Sequence, residues 1–170
     1  VSISTVIICQ NEEVHIGKCI ESTMSFSDEI IVVDGFSTDS TPEIARHFSK
    51  VKFYQRSFDN YIDQKNYANS LAESDYILSL DADEYTSHDL VKFFLEKRHE
   101  RYDAISFHRI NFYAGQKIAH GLWSSDYKIR LWRRTMGTWA GSVPHEHLVI
   151  PHHANIFKSH LKFYHKAYRN

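Results

Sequence analysis

The sequence has few of the residues that mark specialised protein classes. Its 170 residues include two cysteines, three prolines and six glycines, too few for a disulfide scaffold or a low-complexity chain. It also has neither a bilayer-spanning run of about 18 to 20 apolar residues nor a basic start followed by an apolar signal core. We therefore expect a globular cytoplasmic protein in which Cys9 and Cys19 are buried thiols.

Positive and negative charges are nearly balanced. Lys plus Arg number 20 and Asp plus Glu number 21, giving a net charge of −1, and no long block of one sign is present. Non-specific nucleic-acid binding depends on a basic surface, so we expect no nucleic-acid partner. The length favours one domain over residues 1–170, large enough to bury roughly 70% of the surface of its unfolded chain.

The first 102 residues alternate between two patterns. Short apolar runs of strand length are followed by apolar residues at helical spacing. The predicted strands cover residues 6–9, 29–34, 51–55 and 76–80. This alternation predicts right-handed βαβ units, and hence an α/β fold in which helices cover both faces of a mostly parallel sheet.

The pattern changes after residue 103, where short strand-like runs predict a mixed sheet rather than another βαβ repeat. Residues 156–164 mix apolar and basic side chains. They fit an amphipathic element that would bind the inner face of a membrane peripherally, but we favour packing against the sheet. The chain begins at Val1 and ends at Asn170 without a stop-like feature, which leaves open that its second half is truncated.

Acidic residues follow several of the predicted strands. The second strand ends at Asp34, and the fourth runs into Asp81-Ala82-Asp83. Ligands of open parallel sheets bind beyond the carboxyl ends of the strands. Two carboxylates there suit Mg²⁺ or Mn²⁺, and Mg²⁺ typically adds phosphate oxygens of the substrate to one or two protein carboxylates. The pattern therefore predicts a divalent cation and a nucleoside diphosphate ester.

The common phosphate-binding loops are absent. No Gly-x-Gly-x-x-Gly follows the first strand, and no Gly-Lys-Ser/Thr loop occurs, which excludes a dinucleotide fold and a P-loop. Zinc spacing is absent too, despite 12 histidines.

Five ordered segments resemble family 2 inverting glycosyltransferases, and most closely the subgroup of lipopolysaccharide core β-1,4-glucosyltransferases. They are residues 5–13 (TVIICQNEE), 31–39 (IVVDGFSTD), 64–68 (QKNYA), 80–84 (LDADE) and 139–147 (WAGSVPHEH). The resemblance implies a GT-A fold with three αβα layers. It also implies a nucleotide-sugar-binding half over residues 1–102 and an acceptor half with the catalytic base over residues 103–170.

The resemblance carries donor-site and metal-site roles to matching residues. Asn11 and Glu13 would line the nucleotide pocket, Asp34 would meet uracil or ribose, and Gln64 and Lys65 would approach the donor. Asp81 would contact ribose or metal, and Asp83 would bind the metal. A histidine would complete the coordination of the metal. The candidates are His147, which is preferred, His160 and His165.

The second half supplies the candidates for catalysis and acceptor binding. Inverting transfer needs a carboxylate that takes the proton of the acceptor hydroxyl. Glu146 is the first candidate for this general base and Asp126 the reserve. In a regular strand His145 and His147 would face one side and Glu146 the other. Trp123 and Trp139 are candidate acceptor contacts, although large aromatic residues also fill small cores.

The sequence thus predicts a metal-dependent hexosyltransferase, with UDP-glucose as donor and a saccharide or lipid-linked glycan as acceptor. A receiver-like signalling module would need an Asp at the end of the third strand, where the chain has Gln55-Arg56. A nucleotidyltransferase would need a Gly-rich basic loop after the first strand, where residues 10–17 contain one glycine and no arginine. A degenerate transferase, which keeps the fold as a binding module without catalysis, remains an alternative. Arg130, Arg133 and Arg134 could bind an anionic acceptor or membrane headgroups, or form a basic face exposed to solvent.

Overall fold

The computed structural model describes residues 1–118 and 126–166. Within these ranges the helices are α1 Ile16–Glu21, α2 Thr41–Arg46, α3 Tyr61–Ser70 and α4 His88–Leu95, with a short 3-10 helix at Arg98–Arg101. The strands are β1 Ile3–Cys9, β2 Glu29–Asp34, β3 Val51–Gln55, β4 Tyr76–Asp81, β5 Glu84–Thr86, β6 Ala104–Tyr113, β7 Gln116–Lys117, β8 Tyr127–Arg133, β9 Thr138–Ser142, β10 His145–Val149 and β11 Ile156–Lys166.

The main sheet runs through both halves of the chain. Its strand order is β3-β2-β1-β4-β8-β6-β11-β5, with β7 paired to β6. The first four strands in this order are parallel, as are β6 and β11, whereas β8 is antiparallel to both β4 and β6. The predicted α/β fold with a mixed sheet is confirmed, and residues 156–164 pack as part of β11, as favoured from the sequence.

Two apolar cores lie on opposite faces of the sheet, because side chains alternate along each strand. On β1, Ile7 belongs to the core under α1, α2 and α4. Its neighbours Val6 and Ile8 belong to the core under α3. Helices therefore cover both faces, which gives the predicted three layers.

Helices α2, α3 and α4 begin at a polar contact. The side chain of Asn60 accepts a hydrogen bond from the Asp63 amide at the start of α3, and Ser87 accepts one from the Leu90 amide at the start of α4. Such caps satisfy amides that have no partner within a first turn. At the start of α2 the carboxylate of Asp39 accepts from the Thr41 amide.

A hairpin of β9 and β10 lies outside the main sheet and against α3. Its turn contains Val143 and Pro144, joined by a cis peptide bond. The hairpin packs through Trp139, which is 6% exposed. Asn66 on α3 donates to the Trp139 carbonyl and accepts from its amide, both at 2.9 Å. This pair of hydrogen bonds fixes the hairpin on the helix.

Cys9 and Cys19 are buried free thiols, as expected. None of the helices in the described ranges has the length and apolar character to cross a membrane.

Candidate functional site

The carboxyl ends of β1, β2 and β4 meet at one edge of the sheet. The register places Asp81 beside Ile8 and Asp34 beside Cys9. A cavity of about 580 Å³ opens at this edge. Its polar lining includes Gln64, Lys65, Asp81, Asp83, Glu146 and His165. Two segments of the second half thus reach the strand ends of the first.

Asp81 is held between two cations. Lys65 Nζ lies 3.2 Å from its Oδ1, and Arg130 Nη2 donates to its Oδ2 at 3.2 Å. Burial alone would raise the pKa of this carboxyl, but the charges of Lys65 and Arg130 outweigh burial and hold the pKa well below its usual range. Asp81 is therefore an anion at neutral pH, with both oxygens already engaged.

Glu84 lies under Asp81 with no exposed surface. Its Oε1 accepts from Arg130 at 2.7 Å, and its Oε2 accepts from the Asp81 amide at 3.0 Å. Burial raises the pKa of this carboxyl, although Arg130 opposes the shift. Arg109 adds a second cation 3.7 Å from Oε1. The turn that carries Asp81 is thus tied to β8 and β6.

Asp83 faces a histidine from the last strand. His165 Nε2 lies 3.3 Å from Asp83 Oδ2, and its Nδ1 lies 2.7 Å from Oδ1 of Asn111 on β6. Because an amide oxygen only accepts, Nδ1 carries a proton. Burial lowers the pKa of His165, but Asp83 more than offsets this and raises it. His147, by contrast, is exposed on the outer side of β10 and is not among the described lining residues. His165, not His147, is the histidine beside Asp83.

Glu146 points from β10 into the cavity. The strand alternates, with His145 and His147 exposed and Glu146 half-buried, as predicted. The buried Oε2 of Glu146 accepts no hydrogen bond from any described residue. A carboxylate oxygen in this state can accept a proton from a bound hydroxyl.

Lys65 links the hairpin to the strand end. Its ammonium lies 4.3 Å from the centre of the Trp139 ring as well as beside Asp81, and the side chain is almost fully buried. Trp139 also packs edge-to-face on Trp132. The ring of Trp139 thus fills a core under Lys65, the alternative named from the sequence, and its contact with an acceptor stays a prediction. Trp123 lies outside the described residues.

Asn11 and Glu13 shape the loop at the end of β1. Oδ1 of Asn11 accepts from the Thr38 amide at 2.8 Å, and Oε2 of Glu13 accepts from the Ser40 amide at 3.0 Å. Asn11 lines the cavity, whereas Glu13 lines a neighbouring depression with Asp39 and Phe112. The structure therefore places Asn11, but not Glu13, at the predicted site.

Asp34 and Gln64 are engaged within the protein. Asp34 has no exposed surface and accepts from the amide and hydroxyl of Ser37 and from Gln55. It is not among the described lining residues of the cavity, and its contact with uracil or ribose stays a prediction. Gln64 does line the cavity. The guanidinium of Arg56 donates to its Oε1 at 2.7 Å, and the backbone carbonyl of Arg56 accepts from its Nε2.

Asp126 is not positioned as a base. Its Oδ2 lies 2.6 Å from Arg109 Nε and accepts from Asn111 Nδ2 at 3.3 Å. Burial would raise the pKa of Asp126, but the hydrogen bond and charge of Arg109 lower it. It is absent from the described lining of the cavity. This carboxylate pairs with Arg109, and the reserve assignment of Asp126 as base stays an untested prediction.

Several residues of the site were not predicted from the sequence. Arg130 is buried, so it meets neither headgroups nor solvent; Arg133 pairs with Asp103, and Arg134 donates to the Ser74 carbonyl. Glu84 directly follows the Asp-x-Asp triplet, and this adjacency could have predicted that it belongs to the site. Phe58 and Tyr61 line the cavity as an exposed edge-to-face pair. Their position at the start of α3, of which Tyr61 is the first residue, was the available signal.

Comparisons with known proteins agree with this geometry. The family model described as Glycosyl transferase family 2 matches residues 4–157. An uncharacterized glycosyltransferase of Rickettsia typhi is 31% identical over 170 residues, covering 98% of this chain and 56% of the relative. The lipopolysaccharide core biosynthesis glycosyltransferase LpsC of Rhizobium meliloti is 35% identical over 86 residues, 48% of this chain and 32% of LpsC. This chain spans about half the length of the Rickettsia relatives.

Solved structures share the fold. Staphylococcus aureus TarS 1-349 in complex with UDP-GlcNAc superposes with a TM-score of 0.68 at 15% identity, over 100% of this chain and 60% of TarS. Glucosyl-3-phosphoglycerate synthase from Mycobacterium tuberculosis, with Mn²⁺, UDP and glucosyl-3-phosphoglycerate, gives 0.53 at 22%, over 64% of this chain and 44% of the synthase. The predicted GT-A fold is confirmed, and the chain belongs to glycosyl transferase family 2.

Proposed function

We propose that this chain transfers a hexose from a nucleoside diphosphate sugar to an acceptor hydroxyl, with inversion at the anomeric carbon. The observation that carries the proposal is the shared cavity. Asp83 and Lys65, suited to a metal-bound diphosphate, and Glu146, suited to a hydroxyl, line one space at the edge of the sheet. The donor we propose is UDP-glucose. The UDP and UDP-GlcNAc in the TarS complexes support the choice of nucleotide.

The residues present fit a divalent cation shared with the substrate. No group of three or more His, Cys, Asp or Glu side chains within residues 1–118 and 126–166 forms a closed metal site. An Mg²⁺ or Mn²⁺ ion that takes its remaining ligands from a diphosphate needs only one or two protein groups. Mn²⁺ beside UDP in the mycobacterial synthase supports this choice.

Asp83 would hold that cation. Both Asp81 oxygens face cationic side chains, so Asp83 offers the better carboxylate. His165 is suited to join it, since a metal-binding histidine typically donates its other ring N–H to a nearby oxygen, here Oδ1 of Asn111. When bound, the cation would neutralise the departing diphosphate. Asp81 would position the donor with Lys65.

Glu146 would act as general base. Its carboxylate would accept the proton of the acceptor hydroxyl as the hydroxyl oxygen bonds to the anomeric carbon and the diphosphate leaves from the opposite face. The hairpin that carries Glu146 also carries Trp139, whose ring packs under Lys65.

A saccharide or lipid-linked glycan is the acceptor class we propose. The similarity to LpsC supports a role in lipopolysaccharide core synthesis. Peripheral association with the inner face of a membrane, where such acceptors are assembled, belongs to the same proposal.

Donor hydrolysis and transfer across UDP- and GDP-sugars, with and without Mn²⁺, test the proposed function. We expect turnover with a UDP-hexose that requires the metal and falls about 100-fold or more in Asp83→Ala. Glu146→Gln should bind donor normally while turnover falls by roughly 10² to 10⁴. Glu73→Gln, an exposed carboxylate paired with Lys52, is the matched control. If wild-type protein bound no nucleotide sugar, the proposal would be wrong.

A further inference from the structure

Arg130 is a buried cation at the centre of the molecule. It lies on β8, the strand that joins the second half of the chain to β4, and its side chain is 4% exposed. Its Nη2 reaches Glu84 Oε1 at 2.7 Å and Asp81 Oδ2 at 3.2 Å. An arginine buried to this extent needs anionic partners, because desolvating an unpaired charge is costly.

Asp81 is held at two points through this arginine. Arg130 binds the Asp81 side chain directly. It also neutralises Glu84, whose other oxygen accepts from the Asp81 amide at 3.0 Å. Lys65 on Asp81 and Arg109 on Glu84 add two further cations beside these carboxyl groups. An anionic diphosphate therefore approaches a carboxylate whose charge is compensated by neighbouring cations.

We propose that Arg130 is a positioning residue that fixes the side chain of Asp81 at the donor site, with Glu84 as the buried anion through which it also holds the Asp81 backbone. The donor-site role of Asp81 rests on the proposed function. The contact between Arg130 and Asp81 does not. One third of the Asp81 side chain is exposed, so without Arg130 only Lys65 would restrain its rotation.

Arginine suits this role better than lysine. The guanidinium is planar and rigid and presents several donors at once, whereas a lysine ammonium is a single point on a flexible stem. Both carboxylates are reached by one nitrogen, Nη2, which the planar guanidinium holds in place. Arg130→Lys would keep a positive charge near Glu84 but carry its ammonium on a shorter and more flexible stem. This variant separates positioning from charge.

Affinity for UDP in the presence of Mn²⁺, measured by calorimetry, tests the proposal. We expect Arg130→Lys to weaken this binding by about 10- to 100-fold, the range typical of residues that orient metal and ligand contacts from outside the coordination shell. Arg133→Lys is the control: Arg133 lies on the same strand and pairs with Asp103 away from the cavity. It should stay within about two-fold of wild type.

A second measurement needs no ligand. It is a double-mutant cycle in which the urea denaturation midpoint is measured for wild type, Asp81→Asn, Arg130→Lys and the double variant. If Arg130 and Asp81 are in contact, the midpoint shifts of the two single variants do not add up to that of the double variant. Should Arg130→Met fail to fold because Glu84 loses its nearest cation, Arg130→Lys still completes both measurements. Wild-type affinity for UDP in Arg130→Lys, or additive midpoints, would overturn the proposal. If the midpoint shifts of the variants were non-additive but the wild-type protein bound no UDP, the proposed function would be overturned and the contact between Arg130 and Asp81 upheld.

Discussion

Lys65 Nζ lies 3.2 Å from Asp81 Oδ1 and 4.3 Å from the centre of the Trp139 ring. The lysine thus contacts both the strand end that carries the acidic triplet and the hairpin that carries Glu146. Because the side chain is nearly buried, its charge acts in surroundings where water screens it little. A diphosphate entering the cavity would meet this cation next to Asp81.

We expect Lys65→Met to weaken binding of UDP in the presence of Mn²⁺ by roughly 2 kcal/mol, or about 30-fold, since it removes a buried cation at the donor site. Isothermal titration calorimetry measures the affinity. Lys92→Met, on the exposed side of α4, should leave it unchanged. Equal affinity in wild type and Lys65→Met would show that the lysine serves only the fold.

We expect Trp139→Ala to lower the free energy of unfolding by about 3 to 5 kcal/mol, because it empties a space between Lys65 and Trp132. Urea denaturation followed by circular dichroism measures the loss. Val149→Ala, at an exposed position of the same hairpin, should change stability by less than about 1 kcal/mol. A loss that small in Trp139→Ala would contradict the core assignment and restore the ring as an acceptor contact.

We expect Asp126→Asn to lower stability by about 1 to 3 kcal/mol, since Arg109 loses a charged hydrogen-bond partner. Turnover should nevertheless stay within about ten-fold of wild type, in contrast to the larger loss expected for a general base. The comparison is with Glu146→Gln under saturating donor. A folded Asp126→Asn protein without turnover would return the role of base to Asp126.

Acid should destabilise the protein through His99. The ring is 1% exposed between Tyr76 and Phe94, and neither nitrogen has a hydrogen-bond partner in the described residues. Burial lowers its pKa below the usual 6.5. The unfolded chain therefore takes up a proton at a higher pH than the folded one, and stability falls as the pH drops below about 6.5.

His99→Phe removes that titration. We expect the unfolding free energy of wild type to decline relative to His99→Phe as the pH is lowered from 7 to 5. Urea denaturation at several pH values measures the difference, and His88→Phe, at the start of α4, is the control. A difference that did not depend on pH would mean that His99 titrates alike in both states.

The strand ends were predictable because local patterns determine them. Buried strands read as apolar runs, and Asp81 and Asp83 follow one of them, so the cavity edge could be found from periodicity and the rule for open parallel sheets. Glu146 came from a resemblance of motif. Its orientation away from His147 followed from alternation in a strand.

The partners of these residues were less predictable, because they come from strands far apart in the chain. Nothing local distinguishes Arg130, which is buried against Glu84, from Arg133, which is partly exposed and paired with Asp103. The order of β8, β6 and β11 in the sheet decides this. The same order brings His165 rather than His147 to Asp83. Asp34 and Trp139 have side-chain types that suit ligand binding, but packing engages both inside the protein.

The docking of the hairpin on α3 through Asn66 and Trp139 has a consequence for how such a site can diversify. The same helix carries Lys65, so the proposed base and the donor-side lysine share one rigid support. Val143, in the turn of the same hairpin, is exposed. Substitutions in the turn could alter the choice of acceptor while the spacing between proton acceptor and leaving group stays constant.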